Sequence, residues 1–307
     1  MTMIFYFIFF GFFVSVTAGL LISWIDRKVT ARLQYRVGPP ILQPFTDIVK
    51  LLGKELLLPK GASKITFLFS PILGIISIMI VTTLLWLVNI WPQKTFFGDL
   101  IVVLYFLVLP SLGIILGGFA SRNPLASIGA SREMKLVMAY ELPFILAVFV
   151  PVAKSGLSIK LGEIISYQSA YGAFISNWSG VLSFIVILFC VQAKLGLVPF
   201  DMAEAETELA GGALIEYSGP SLAIFKLTKA MMLFVLPYFI VILFLGGFNF
   251  NGLAAVRSLL GFVAIIVLII VIRNTNPRLR VDQALRFFWG PMTILAILAL
   301  VLAGRGL

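Results

Sequence analysis

Apolar runs of about 17–25 residues recur along this 307-residue chain, separated by short polar stretches. Eight can be marked, at 2–25, 68–90, 100–120, 136–153, 180–197, 222–246, 254–272 and 287–303. Each is near the length that crosses about 30 Å of hydrocarbon, and lipid leaves a continuous apolar run little choice but a helix. The pattern predicts an all-α polytopic membrane protein: a single transmembrane domain over 1–307 with about eight spanning helices. The first run lacks a basic leader and a small-residue cleavage site before Asp26-Arg27-Lys28, so it reads as a retained span. The long polar stretches, about 26–67, 121–135, 198–221 and 273–286, all fall on one side of the membrane.

Inside the first stretch the period changes. In ILQPFTDIVKLLGKELLL, Ile41, Phe45, Ile48, Leu52 and Leu56 recur at three- and four-residue steps, opposite Asp47, Lys50 and Lys54. This predicts an amphipathic helix over 41–57, lying either on the membrane surface or under a partner subunit. No internal repeat of the kind that pairs the halves of many secondary transporters is visible.

Composition supports the membrane reading: 61 % of residues are hydrophobic, 12 % are charged and the mean hydropathy is +1.09. A net charge of +10 suggests nucleic acid until its distribution is drawn. The loops after the first, third, fifth and seventh runs, with their flanks, hold 18 of the 23 Lys and Arg residues; the other side holds Lys94, Lys154, Lys160, Arg257 and Arg305. That is a positive-inside bias, and it places both termini outside. The basicity sets topology and implies no nucleic-acid partner. Histidine is absent and Cys190 is alone, which leaves no pattern for structural zinc, iron–sulfur ligation or an internal disulfide; Met and Tyr could ligate haem but do not cluster. The expectation is no metal site and no redox cofactor bound by this chain.

The chemistry concentrates in LVPFDMAEAETELAGGALIEYSGP, residues 197–220, which holds Asp201, Glu204, Glu206, Glu208 and Glu216. As a helix it would set Glu204 and Glu208 one turn apart, with Asp201 within about 60° of both. Such a face near a bilayer could carry protons; the alternative is a solvated amphipathic loop helix. Glu141 lies about six residues inside the fourth run, followed by Leu142-Pro143. There a carboxylate either faces a wet cavity or marks a helix end. SRNPLASIGASREMK (121–135) and RNTNPRLRVDQALR (273–286) read as shaped basic loops or as ordinary anchoring.

Four segments carry a resemblance. DRKVTARLQYRVGPPILQPFTDIVKLLGKE, GASREMKLVMAYELPF, VPFDMAEAETELAGGALIEYSG and NPRLRVDQ are similar to the junction membrane subunit of respiratory complex I and of energy-converting membrane-bound hydrogenases, in the same order from Asp26 to Gln283. The resemblance implies an integral subunit of a prokaryotic cell membrane, at the heel of an L-shaped complex. Asp201, Glu204, Glu206, Glu208 and Glu216 would line a charged route from the redox arm into the membrane, and Glu141, on the family's Tyr-Glu pair, would continue it. Arg27, Arg32 and Arg36 with the 41–57 helix, and Arg132 and Arg280, would dock the arm. The implied partners are hydrogenase-like large and small subunits, an iron–sulfur subunit and antiporter-like membrane subunits, with iron–sulfur clusters and a nickel–iron centre in those partners.

Departures choose a branch. Respiratory members usually read Glu-Thr-Asn-Arg where this chain has Lys194-Leu195-Gly196-Leu197, Glu-Tyr where it has Lys229-Ala230, and Tyr-Asp-Gln where it has Val281-Asp282-Gln283. With the Gly129–Glu133 and Glu-Tyr-Ser-Gly-Pro stretches, these resemble the hydrogenase branch. The expected function is therefore a non-catalytic coupling subunit of a ferredoxin-driven, ion-pumping hydrogenase-type complex. The rivals are the quinone-site subunit of a complex I-like dehydrogenase, a stand-alone secondary transporter and a passive membrane anchor.

Overall fold

The computed structural model describes residues 2–250 and 252–306, without the side chains of residues 2, 3, 206 and 207. Its regular secondary structure is helical, with no strand among the described residues. Among the described residues, seven helices are long and apolar enough to cross a membrane: α1 (Ile4–Leu33), α3 (Lys64–Ile90), α4 (Asp99–Ala120), α5 (Pro124–Lys154), α9 (Gly219–Leu245), α10 (Gly252–Thr275) and α11 (Val281–Gly304). An eighth apolar helix, α7 (Trp178–Lys194), is shorter. The remaining α-helices among the described residues are α2 (Gln43–Leu52), α6 (Leu161–Tyr171) and the single turn α8 (Glu206–Leu209). This is the polytopic all-helical architecture expected from the hydrophobic pattern.

The spans form two groups. In the first, α9 packs against α1, α3 and α10, and α3 packs against α4. In the second, α5, α7 and α11 pack on one another, and the α4–α5 contact joins the two. Helix α9 is the axis, with 89 % of its apolar window enclosed, against 33 % for α10 and 28 % for α11. The outer sides of α10 and α11 thus face lipid or other chains. Gly19 of α1 lies against the Ala230 carbonyl of α9, a close backbone approach that only a residue without Cβ allows. Helix α11 widens to π-helical turns over Phe288–Met292, around Pro291, whose missing N–H interrupts the regular ladder.

Three expectations need correcting. The stretch 121–135 is not a loop: α5 begins at Pro124, so its first three turns are the basic segment itself. The start signal is local, since Asn123 Oδ1 accepts the Leu125 N–H at 2.8 Å and Pro124 is preset for a first helical turn. The amphipathic helix stops at Leu52, before Gly53, rather than running to 57. Its inward side is also different, because Asp47 turns toward α1, accepting from Arg27 at 3.0 Å and Gln43 at 2.8 Å, while Leu52 and Val49 are exposed. Burial pushes the Asp47 carboxyl up, but the bonds from Arg27 and Gln43 and the charges of Arg27 and Lys50 outweigh it and hold the group low.

Candidate functional site

The acidic segment between α7 and α9 folds against the inner end of α5, where small residues let backbone meet backbone. The α5 residue Gly129 admits the Ala213 N–H, which a Cβ there would approach to 2.5 Å. Gly212 has φ +57° and lies so close to the Ala203 carbonyl oxygen that a methyl group would overlap it. Ala213 N–H donates to that carbonyl at 3.3 Å, and Leu279 N–H donates to Pro199 at 3.0 Å, tying the α10–α11 connection to the segment. At its far end Tyr217 stacks on Phe67 at 4.0 Å and donates to the Phe67 carbonyl at 3.0 Å. Ser218 accepts the Leu57 N–H at 3.2 Å, so the stretch after α2 is clasped to the segment.

This path is not the helix that the acidic spacing suggested. Asp201 and Glu204 precede α8, and the carboxylates fan out to different partners instead of sharing a face. Asp201 pairs with Arg278 at 2.7 Å, Glu204 with Lys229 at 2.6 Å and Glu208 with Arg132 at 2.5 Å. Glu216 accepts from the Asn123 side chain at 2.5 Å. The Glu206 side chain lies outside the described residues. Deeper in, Glu141 on α5 pairs with Lys194 at the end of α7. The Lys194 side chain is 0 % exposed and that of Glu141 is 20 % exposed. The ammonium also sits 4.5 Å from the Phe144 ring centroid and 4.8 Å from that of Tyr140, which lessens the cost of enclosing a charge.

Three cavities link these groups. A cleft of about 320 Å³ is lined by Arg132, Asp201, Glu208, Arg278, Arg280 and Asp282. A larger one, about 390 Å³, lies between α1, α2 and α9; it carries Asp26, Arg27, Asp47, Asp201, Glu204, Lys226, Lys229 and Arg273. Between them and the membrane interior is a crevice of about 20 Å³, room for one water, bordered by Ser111, Glu133, Lys194, Asp201, Glu204 and Lys229. Asp201 borders all three. One Glu204 oxygen meets Lys229; the other is enclosed with no hydrogen-bond partner among the described residues. Among the described residues no group of three or more His, Cys, Asp or Glu is placed to hold a metal.

The arrangement adds residues that the acidic pattern missed. Glu133 is 5 % exposed on α5, two turns before Glu141, a relation that a loop over 121–135 would conceal. Lys194 and Lys229 are ion-pair partners of two expected route carboxylates. Asp26 pairs with Arg273 across the larger cavity. Of the expected docking residues, Arg27 and Arg132 pair with carboxylates of this chain, Arg27 while still exposed, and Arg32, Arg36 and Arg280 are exposed.

Burial raises the Asp201 carboxyl above its usual range; the charges of Arg278 and Lys229 pull it back, and that of Glu204 pushes it further up. In Glu208 the Arg132 hydrogen bond and charge do the opposite. Replacing Arg278 by Gln removes the largest lowering charge from Asp201, so the carboxyl C=O infrared band should persist to higher pH than in the wild type. Asp201→Asn identifies the band, and a midpoint that stays or moves down would show that Arg278 does not control this group.

Over residues 4–304 the sequence matches the family model described as NADH dehydrogenase. It is 33 % identical to an NADH-quinone oxidoreductase subunit of Syntrophobacter fumaroxidans, covering 95 % of this chain and 92 % of that one. The same identity and coverages hold for the corresponding NADH-quinone oxidoreductase subunit of Bacillus thuringiensis. Among solved structures, a chain of the membrane-bound sulfane sulfur reductase, an archaeal respiratory membrane complex, superimposes with a TM-score of 0.88 at 28 % identity, covering 99 % of this chain and all of the other.

Proposed function

The chain belongs to the NADH dehydrogenase family as a complex I-like, multi-pass prokaryotic membrane subunit, and from that premise we propose that it couples electron transfer in a peripheral arm to ion translocation through the membrane. The observation that carries this reading is the succession Asp201–Arg278, Glu204–Lys229, Glu133 and Glu141–Lys194, running from an inner cleft into the spans through a one-water crevice. Charge displaced at the inner face shifts the balance at Asp201. The Glu204–Lys229 pair, bordering the same crevice, responds to that shift, and the change is passed to Glu133 and the Glu141–Lys194 pair. The chain breaks and forms no substrate bond; it holds and passes charge.

The finer assignment is a ferredoxin-driven hydrogenase-type complex or a sulfur-reducing relative. Partner subunits would hold iron–sulfur clusters and, in the hydrogenase case, a nickel–iron centre, with antiporter-like chains against the exposed spans. Supporting this branch are Lys194 and Lys229, which replace carboxylates usual in respiratory members and here serve as counterions. A second reading, a quinone-site subunit, draws on the names of the curated relatives and on the apolar wall of the larger cavity, including Leu20, Leu197 and Leu233. The experiment replaces one pair as a unit, Glu204→Gln with Lys229→Met, leaving neither charge unmatched. In the purified complex reconstituted in liposomes, ion translocation should fall about tenfold or more while electron transfer continues. Unchanged translocation per electron would leave the chain a passive anchor.

A further inference from the structure

On the opposite face from these pairs, the ends of three spans line a further cavity of about 360 Å³. Lys154 in the last turn of α5, Tyr167 and Tyr171 of α6, Asn177 before α7, and Gly304 and Gly306 at the end of α11 line it. The Lys154 ammonium is shut off from solvent and has no hydrogen-bond partner among the described residues. The α5 C-terminal dipole favours a cation there but does not satisfy its three N–H donors. Among the described residues no carboxylate side chain lines the cavity. The nearby acid of α6, Glu163, is already held by Lys160 at 2.8 Å and by Ser158.

We propose that this cavity binds a phosphate group, carried by a lipid headgroup or free in solution. The phenol and amide groups of the lining can donate hydrogen bonds, and turning the end of the Lys154 side chain into the cavity would add its ammonium. A lining with no carboxylate side chain among the described residues suits an oxyanion with several acceptor oxygens. An enclosed ammonium without a partner is costly, and a phosphate removes that cost. The position is where headgroups lie: the cavity is at the outer ends of α5, α7 and α11, and the exposed Tyr171 and Trp178 beside it are the aromatic residues typical of a membrane interface. It is separate from the inner charged pairs and independent of their proposed role.

The test uses the intact complex, stripped of lipid in detergent, and compares wild type, Lys154→Gln and Lys154→Arg by native mass spectrometry. Each is titrated with short-chain phosphatidylglycerol and, separately, with inorganic phosphate. The wild type should hold one more phosphatidylglycerol than Lys154→Gln, with binding about tenfold weaker in that variant and largely kept in Lys154→Arg. A Lys154-dependent adduct of inorganic phosphate, with equal lipid binding in wild type and variant, would assign the phosphate to solution rather than lipid. Equal binding of both probes by wild type and Lys154→Gln overturns the proposal.

Discussion

Glu141→Gln should damage assembly before it reveals anything about translocation. The substitution leaves Lys194, wholly enclosed, without its counterion, and breaking a buried pair from one side costs about 3–5 kcal/mol. Domains hold roughly 5–15 kcal/mol in all, so yield of the intact complex should drop steeply and its thermal midpoint fall. Removing both charges, Glu141→Gln with Lys194→Met, replaces the pair by uncharged groups of similar length, a change that is often neutral or stabilising. The double variant should therefore recover assembly. If the proposed route is right, its ion translocation should stay about tenfold or more below wild type with electron transfer retained. A single Glu141→Gln complex as stable as wild type would show that Lys194 does not depend on this carboxylate. A double variant that assembles and pumps normally would remove the pair from the route.

Gly212→Ala is expected to be the most damaging single-methyl change in the acidic segment. The new Cβ would run into the Ala203 carbonyl, and φ +57° is a conformation L side chains rarely take. Neither fault can be relieved by rotating a side chain, because the obstacle is backbone that also receives the Ala213 N–H. A strained backbone residue costs on the order of 1–3 kcal/mol, and the overlap adds to it. The segment from Ala203 to Gly212 should lift from α5 and carry Glu204 away from Lys229. Amide exchange over 200–216 in the purified complex should speed up by about tenfold or more, while exchange in α9 changes little. Wild-type protection in the variant would contradict the close packing at Gly212.

The architecture is legible because lipid enforces a simple code: a run long enough and apolar enough must be a helix, and basic flanks set its direction. Errors arise where that code gives way to tertiary packing. The stretch 121–135 is polar enough to read as a loop, yet Asn123-Pro124 opens a helix whose Gly129 is covered by the acidic segment. The acidic spacing fits a helix, but tight contacts at Gly212 and Gly129 hold the chain in another path, with Asp201, Glu204 and Glu208 each drawn to its own cation. Asp47 has the spacing of a solvent-side residue, but Arg27, twenty positions earlier, comes within 3.0 Å of it. The positions of Glu141 and the acidic cluster are readable one residue at a time. That Lys194 and Lys229 are their counterions is not, since those pairs join residues 53 and 25 positions apart on different elements.

The Glu141–Lys194 pair also bears on biosynthesis. Glu141 leaves the ribosome fifty-three residues ahead of its lysine, which at ordinary elongation rates is a wait of roughly 3–10 s. During that interval the carboxylate has only water, headgroups or the insertion machinery to meet it. Helix α5 can therefore take its final depth only when α7 arrives, and the two must settle as a unit although α6 is made between them. A stalled nascent chain ending before Lys194 would hold α5 short of its mature position.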